Sequence, residues 1–374
     1  MSETITVDSF TRDFVLQELT TTQGRKLTGL RLRYRVFGDV EAAAENGWIL
    51  IFHALTGSSD VDAWWGPLVG PGKALDTSNH AVLAANLLGS CYGSSGPTEW
   101  RAERDEPFPE LTPADLARAH VPLLEHLGVQ RLALVTGGSL GGMVALHWGR
   151  LASVPTDRLV VFAAPAAASP QAISWNAVQR MAIEADPAWA GGSYPPGEGP
   201  VAGLAAARAV AMITYRSGAE FQARFGRLSS RSEGLFDVEH YLRRQGEKLV
   251  ARFDAASYVA LMRTMDLHDV GDLTTAARDT ARRVGMVTGV GIDSDILYPA
   301  AEVRDWVAAY RAGGANAEYR EIASLYGHDA FLIEWDQVEQ ILRGEQASRA
   351  MTKPGNSRGP VPGSHGVAGS GPSP

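Results

Sequence analysis

The first half of the chain alternates short apolar runs with longer stretches of helical spacing. Four apolar runs that end in Gly or Pro are typical of strands buried on both faces of a parallel sheet: residues 47–57, 80–89, 131–138 and 158–165. Between them, Thr112 and Pro113 begin a stretch with apolar residues three and four positions apart, which predicts a capped helix. An earlier segment, 14–38, alternates apolar and polar residues and predicts antiparallel strands. The pattern predicts an α/β fold with a mostly parallel, doubly wound sheet.

The pattern changes after Pro165. Residues 166–282 have helical spacing and few strand-like runs, whereas strand-like runs return at 283–293 and 317–324. We therefore expect an α/β core formed by residues 1–165 and 283–345, with 166–282 inserted as a helical cap. Residues 346–374 are rich in Gly, Pro and Ser, and this composition predicts a disordered tail.

Composition narrows the class of protein. The chain has 374 residues and a formal net charge of −8, which argues against a nucleic-acid-binding protein. Cys91 is the sole cysteine, so no internal disulfide is possible and a reducing compartment fits. The polar, acidic N-terminus does not resemble a signal peptide, and no apolar run approaches the length of a membrane helix. We expect a soluble, cytoplasmic protein that binds neither nucleic acid nor membranes.

Ser139 stands out because glycines flank it between an apolar run and a helix. Residues 137–141 read GGSLG and fit the G-x-S-x-G motif, in which small neighbours allow a sharp turn that exposes the serine hydroxyl. The amide of Leu140 would then be free to bind an oxyanion. The alternatives are an ordinary Gly-rich turn with a capping serine, or a phosphate loop, although no Lys-Ser/Thr follows the glycines. The context favours Ser139 as a nucleophile.

A nucleophilic serine needs a base and an acid downstream of it. His328 lies in a loop after the last predicted strand, where the histidine of such a triad belongs. The other downstream histidines lie in less suitable places, within the helix after the serine, in the cap or in the tail: His147, His240, His268 and His365. For the acid, Asp295 is favoured over Asp293, because Asp295 lies where the loop turns into the next helix.

The second oxyanion donor should follow an early strand. The loop FHALTGSSD, residues 52–60, has that place, and it offers the amide of Leu55, with Thr56 as the alternative. His53 in the same loop is interpreted as structural, because one base is sufficient.

Several of these motifs together carry a resemblance. HALTGSS, NLLGSCYGSSGP, GGSLGGM, MITYRS, RFDAASYVALMRTMDLHDVG, GIDSDILYP and GHDAFL, in this order, resemble the homoserine O-acetyltransferase family of the α/β-hydrolase superfamily over residues 14–343. The resemblance implies a cytoplasmic enzyme of methionine biosynthesis that moves an acyl group from acetyl-CoA or succinyl-CoA to an amino-acid hydroxyl. It implies Ser139 as the acylated residue, with Asp295 and His328, and a ping-pong mechanism. It also implies a homodimer formed through the cap helices and no tightly bound cofactor.

The resemblance further implies an acceptor site. Arg208 matches the family arginine that clamps the homoserine carboxylate, and a guanidinium can do so with paired hydrogen bonds. Tyr215 lies seven residues after Arg208, on the same helix face. Asp329, next to His328, could face the ammonium group, and Thr56 is a further substrate contact. Basic residues that recur every four positions could form a stripe that contacts the coenzyme A phosphates: Arg244, Lys248 and Arg252. Such stripes are more often solvated helix faces.

Other readings stay open at this point. The acceptor could be L-serine and the donor succinyl-CoA, the same triad could serve a hydrolase, and a non-catalytic binding protein could keep the fold. No metal site is expected, because the segment DLHDVG, residues 266–271, lacks ligand spacing. Cys91 is interpreted as a buried, inert thiol, and three tryptophans are interpreted as core or mouth-lining side chains: Trp64, Trp65 and Trp100.

Overall fold

One sheet organises the computed structural model, which describes residues 9–151, 153–229 and 234–345. In chain order the strands of that described part are β1 (Ser9–Thr20), β2 (Lys26–Phe37), β3 (Trp48–Phe52), β4 (Val82–Ala85), β5 (Leu132–Gly138), β6 (Thr156–Phe162), β7 (Val284–Ile292) and β8 (Ala317–Ile322). They lie in the order β1-β2-β4-β3-β5-β6-β7-β8. The pairs β1–β2 and β2–β4 are antiparallel, and the other pairs are parallel. The fold class predicted from the sequence is confirmed.

Helices cover the sheet and fill the long connection between β6 and β7. In chain order they are α1 (Val40–Asn46), α2 (Val61–Trp64), α3 (Pro97–Arg104), α4 (Pro113–His126), α5 (Leu140–Leu151), α6 (Pro170–Glu184), α7 (Val201–Tyr215), α8 (Gly218–Phe225), α9 (Asp237–Val250), α10 (Ala255–Asp266), α11 (Leu273–Ala281), α12 (Ala300–Ala312) and α13 (Trp335–Arg343). Short 3-10 helices span Gly66–Leu68, Pro187–Gly192 and Gly327–Leu332. None of the described helices is both long and apolar enough to cross a membrane.

The strand sequences explain the layered core. All residues of β3 (WILIF) and β4 (VLAA) are buried, as expected for central strands with helices on both faces. By contrast, β1 lies at the sheet edge, and seven of its twelve residues are exposed. Helix α4 begins with the predicted N-cap: the Thr112 hydroxyl accepts from the Asp115 amide at 3.2 Å, and the Asp115 carboxylate accepts from the Thr112 amide at 2.9 Å.

Helices α6 to α11 form the connection between β6 and β7, which we call the helical insertion. Helices α6 to α11 fall within residues 166–282, and α7 packs against both α6 and α9. Helix α11 packs against α5 and α12, which also cover the sheet. The division of the chain into core and cap remains a prediction, and the predicted tail, 346–374, lies outside the described residues.

One strand is shorter than its apolar run suggests. The run 80–89 predicts a long strand, but β4 ends at Ala85. The side chain of Asn86 accepts a hydrogen bond from the Ser59 amide at 2.7 Å and donates one to the Tyr92 carbonyl at 2.7 Å. These bonds turn the chain away from the sheet and bring two loops together above the carboxyl ends of the strands.

Candidate active site

Ser139 occupies a strained turn between β5 and α5. Its φ angle is +57°, in the left-handed region that non-glycine residues rarely adopt. The chain passes very close to β3 here, because a Cβ atom on Gly141 would lie 2.1 Å from the Phe52 carbonyl oxygen. A Cβ atom on Gly137 would likewise lie 2.5 Å from the carbonyl carbon of Gly141. Glycine is therefore required on both sides of the serine, and the backbone has the strand–turn–helix geometry of a nucleophile elbow.

His328 and Asp295 form a buried pair. The Nδ1 atom of His328 lies 2.7 Å from Oδ2 of Asp295, although 33 residues separate them in the chain. The other carboxylate oxygen of Asp295 accepts from the amides of Leu297 at 2.8 Å and Tyr298 at 3.0 Å. Because these two amides fix the carboxylate, Asp295 holds the imidazole ring in one orientation and one tautomer.

Asp293, the alternative acid, has a different environment. It is exposed, and its carboxylate accepts a hydrogen bond from the Ser324 amide at 3.0 Å. This bond links the ends of two neighbouring strands, β7 and β8. Of the two candidates, the geometry therefore brings Asp295, and not Asp293, to His328.

The second ring nitrogen of His328 faces no protein partner. Its Nε2 atom is buried and has no hydrogen-bond partner within the described parts of the chain. The ring of Phe331 lies 5.8 Å from the His328 ring, and it also lies 2.4 Å from where a Cβ atom on Gly138 would be. Phe331 thus packs between His328 and the residue before Ser139. A general base needs a ring nitrogen that is free to take a proton, and Phe331 packs this ring against the turn that carries Ser139.

Opposing effects set the pKa of His328. Burial lowers it, because the imidazolium ion loses hydration. The charge and hydrogen bond of Asp295 raise it, and the charge of Asp329 raises it further. The net result is a pKa above the ordinary value of histidine.

The two predicted oxyanion donors are positioned by neighbouring elements. Leu140 is the first residue of α5, and Leu55 lies in the turn after β3. Neither backbone amide donates a hydrogen bond to any residue that the structure describes. The backbone at Gly141 presses against the carbonyls of Phe52 and His53, so the turn with Leu55 begins beside the N-terminus of α5. A helix N-terminus favours negative charge, which suits an oxyanion at this place.

Both ring nitrogens of His53 have hydrogen-bond partners, one in its own loop and one after β4. Its Nδ1 atom donates to the Ala54 carbonyl at 2.8 Å, and its Nε2 atom accepts from the Leu87 amide at 2.9 Å. Burial lowers its pKa to about 4, so the ring is neutral near pH 7. This environment fits the structural role expected for His53.

The predicted acceptor residues lie next to His328. The guanidinium of Arg208 lies 5.5 Å from the centre of the Tyr215 ring, and that ring is 5.7 Å from the His328 ring. Arg208 is partly buried and forms no ion pair with the described residues. Burial raises the pKa of Asp329, against the opposing charges of Arg216, Arg208 and His328.

The sequence analysis did not identify one charged residue of this region, Arg216. Arg216 forms an ion pair with Asp329 at 3.3 Å, and both side chains are largely buried. The only available signal was its position directly after Tyr215 at the end of α7. Asp329 is therefore already neutralised by an arginine from the helical insertion.

The predicted stripe of cations does not behave as one unit. Arg252 donates to the Thr56 carbonyl at 2.8 Å, to the Tyr92 hydroxyl at 2.7 Å and to the Thr56 hydroxyl at 3.2 Å. Arg244 and Lys248 are exposed. Two residues that the sequence assigned to different ligands, Arg252 and Thr56, are thus hydrogen-bonded to each other.

Comparison with known proteins agrees with the geometry. A family model described as the alpha/beta hydrolase fold matches residues 47–258. The homoserine O-acetyltransferase of Moorella thermoacetica is 42% identical over 341 residues, which cover 86% of this chain and 91% of that protein. The chain belongs to the homoserine O-acetyltransferase family. The resemblance seen in the sequence motifs is thereby confirmed.

Solved structures support the fold of this family member. The homoserine O-acetyltransferase of Bacillus anthracis superimposes with a TM-score of 0.81 at 24% identity, covering 90% of this chain and 97% of that one. Esterase E22 also gives a TM-score of 0.81, at 20% identity, covering 90% and 99%. At these identities the likeness concerns the fold, which acyltransferases and esterases share.

The structure also places the tryptophans and the cysteine that the sequence analysis considered. Trp65 is buried and donates to the Phe331 carbonyl at 2.9 Å, Trp64 donates to the Ser58 carbonyl at 3.1 Å, and Trp100 is buried. Cys91 is half-buried rather than buried, because it borders a cleft in front of α10.

The structure also gives the positions of the other histidines and of possible metal ligands. His147 and His268 are buried against each other, with ring centres 5.3 Å apart. His240 lies in α9, and His365 lies outside the described residues. No group of three or more metal-ligating side chains occurs within residues 9–151, 153–229 and 234–345.

Proposed function

We propose that this protein transfers an acetyl group from acetyl-CoA to the hydroxyl of L-homoserine through an acetylated Ser139. The observation that carries the proposal is the 2.7 Å contact between Asp295 and His328, whose other ring nitrogen is buried and without a hydrogen-bond partner among the described residues. The 42% identity to a curated homoserine O-acetyltransferase supports the same substrates.

In the first half-reaction, the Ser139 hydroxyl oxygen attacks the thioester carbonyl carbon of acetyl-CoA. His328 removes the hydroxyl proton through Nε2, and Asp295 stabilises the resulting imidazolium ion. The amides of Leu55 and Leu140 bind the oxyanion of the tetrahedral intermediate. The carbon–sulfur bond then breaks, His328 protonates the departing thiolate, and the acetyl group remains on Ser139.

In the second half-reaction, the homoserine hydroxyl attacks the acetyl carbonyl on Ser139. His328 removes the proton of that hydroxyl and returns it to the serine oxygen as the ester bond to Ser139 breaks. The same two amides bind the second oxyanion. Each proton taken by the base is given back, so the enzyme ends the cycle unchanged.

The residues around His328 suit an amino-acid acceptor. Arg208 has no competing ion pair within the described residues, so its guanidinium is available for the homoserine carboxylate. Asp329 would face the ammonium group, with Thr56 and Tyr215 as further contacts. Because Arg216 pairs with Asp329, this carboxylate is held in place without carrying an isolated buried charge.

We further propose a cytoplasmic homodimer formed through the helical insertion. Helices α6 and α7 expose large apolar side chains, including Met181 at 65% and Val201 at 57% exposure. Such side chains are costly to leave in water and are typical of a covered surface. Light scattering should give the mass of a dimer, and Met181→Lys should shift the protein towards the monomer.

The substrate assignment is tested by product analysis. The purified protein is incubated with acetyl-CoA or succinyl-CoA, each against homoserine or serine, and the products are identified by mass spectrometry. We expect O-acetylhomoserine with acetyl-CoA and homoserine, and no product from Ser139→Ala. Accumulation of acetate in the presence of saturating homoserine would instead identify a hydrolase.

A further inference from the structure

The turn that follows β3 is anchored to the core at both of its ends. We call residues 53–59 the oxyanion turn, because they contain Leu55. At its start, His53 bonds to the Ala54 carbonyl and to the Leu87 amide. At its end, the Ser59 amide donates to the side chain of Asn86 at 2.7 Å. The tip of the turn, at Thr56, receives its support from a different part of the chain.

That support is Arg252, which lies between α9 and α10. Its guanidinium makes three hydrogen bonds, two of them to the carbonyl and hydroxyl of Thr56 and one to the Tyr92 hydroxyl. Paired bonds from a planar guanidinium fix direction as well as distance. The next residue after Leu55 is therefore held by a single side chain from the helical insertion.

The backbone beside Arg252 is itself fixed to the core. The Asp254 amide donates to Sγ of Cys91 at 3.5 Å, one residue before Tyr92. The Asp254 carboxylate accepts from the Thr98 hydroxyl at 3.0 Å and from the Tyr194 hydroxyl at 2.8 Å. Because hydrogen bonds fix the backbone next to Arg252, its side chain can hold the oxyanion turn in one position.

We propose that Arg252 is a positioning residue that holds the Leu55 amide in place to bind the oxyanion. This inference rests on the proposed function, in which Leu55 is an oxyanion donor. A hydrogen-bond donor at this place stabilises the transition state only when its geometry is set beforehand. Displacement of a catalytic group by about 1 Å costs about 100-fold in rate.

A competing role for Arg252 follows from its exposure. It borders a cleft of about 370 Å³ together with Val201 and Asp254, and a free guanidinium there would suit a phosphate of coenzyme A. The two roles differ in what they do to a small substrate. p-Nitrophenyl acetate acylates the same serine but carries no phosphate, so a phosphate contact cannot affect its turnover.

The test compares Arg252→Met and Arg252→Lys with both acetyl donors. We expect Arg252→Met to lower kcat for p-nitrophenyl acetate and for acetyl-CoA by a similar factor, about 10- to 100-fold, with KM changed less than about threefold. Arg252→Lys should recover part of the loss, because one ammonium group can still reach the Thr56 carbonyl. Tyr92→Phe removes only the third hydrogen bond and should lower kcat about two- to fivefold.

Controls separate the possible failures. Arg243→Met removes an exposed arginine of α9 and should leave the turnover of p-nitrophenyl acetate unchanged. If Arg252→Met does not fold, as judged by circular dichroism, the Lys and Phe variants carry the test. A raised KM for acetyl-CoA with unchanged turnover of p-nitrophenyl acetate would overturn the inference. If Ser139→Ala still turns over p-nitrophenyl acetate, the proposed function fails. If Ser139→Ala is inactive and the Arg252 variants turn over p-nitrophenyl acetate at the parent rate, only the inference about Arg252 fails.

Discussion

Replacement of Asp295 by Asn tests the role of the buried pair. An asparagine keeps the oxygen that accepts from the Leu297 and Tyr298 amides at 2.8 and 3.0 Å, so the side chain should stay in place. Its amide nitrogen, however, would face Nδ1 of His328 at the position of the 2.7 Å contact. The amide nitrogen can only donate, so Nδ1 of His328 would have to accept this hydrogen bond, which moves the ring proton to Nε2. A protonated Nε2 cannot take the proton of Ser139.

The magnitude follows from this change of tautomer. In a Ser-His-Asp triad, replacing the acid by its amide lowers kcat by about 10⁴-fold. At about 1.4 kcal/mol for each factor of ten, this is a loss of about 5 kcal/mol of transition-state stabilisation. The cost in folding should be smaller, about 1–3 kcal/mol, because the two backbone hydrogen bonds become neutral but are not lost.

The assay measures kcat for acetyl transfer and the free energy of unfolding in urea for the same variants. Asp293→Asn is the matched control, because Asp293 is exposed and its oxygen accepts a hydrogen bond from the Ser324 amide. We expect activity within about twofold of the parent protein for this control. Loss of activity in Asp293→Asn, with activity retained in Asp295→Asn, would refute the assignment of the acid.

Three further predictions follow from the same geometry. The active form of His328 is neutral and its pKa is raised, so kcat/KM for p-nitrophenyl acetate should fall with decreasing pH, with a midpoint above 6.5. Asp329→Asn should lower this midpoint, because the charge of Asp329 raises the pKa of His328. A midpoint that does not move would contradict the effect of Asp329. Gly141→Ala should lower the free energy of unfolding by at least about 2 kcal/mol, because the new Cβ atom would meet the Phe52 carbonyl. Gly218→Ala is the control and should change that free energy by no more than about 0.5 kcal/mol, because a Cβ atom there would meet nothing within 4 Å among the described residues. Equal unfolding midpoints in urea for the two variants would be inconsistent with the close approach at Gly141. Arg208→Gln should raise KM for homoserine about 10- to 100-fold and leave the turnover of p-nitrophenyl acetate unchanged, and the reverse pattern would place Arg208 outside the acceptor site.

The nucleophile turn was accessible to sequence analysis because the G-x-S-x-G spacing itself marks a sharp local turn. A Cβ atom on Gly137 would meet Gly141 within that turn, whereas a Cβ atom on Gly141 would meet Phe52 of β3. The N-cap of α4 is equally local, and it was predicted from Thr112 and Pro113 alone. The alternation of strand-like and helix-like runs along the chain was enough to predict the sheet that holds these motifs.

The ion pairs and hydrogen bonds between distant segments were not accessible in the same way. Arg216 and Asp329 are separated by more than a hundred residues, and nothing in either segment indicates that the two side chains meet. Similarly, the helical spacing of Arg252 indicated an exposed stripe, because spacing cannot show that a side chain turns towards Thr56. Such contacts depend on how the helical insertion lies on the sheet, and a single sequence does not specify that arrangement.

The central claim is that Ser139 carries the acetyl group between two substrates, and a single-turnover experiment tests it most directly. The protein is mixed with a stoichiometric amount of acetyl-CoA without an acceptor, quenched in acid and digested, and the peptide that contains Ser139 is examined by mass spectrometry. We predict one added acetyl group on Ser139, and its transfer in equal amount to homoserine when homoserine is added before the quench. A peptide that stays unmodified while O-acetylhomoserine still forms would contradict the account.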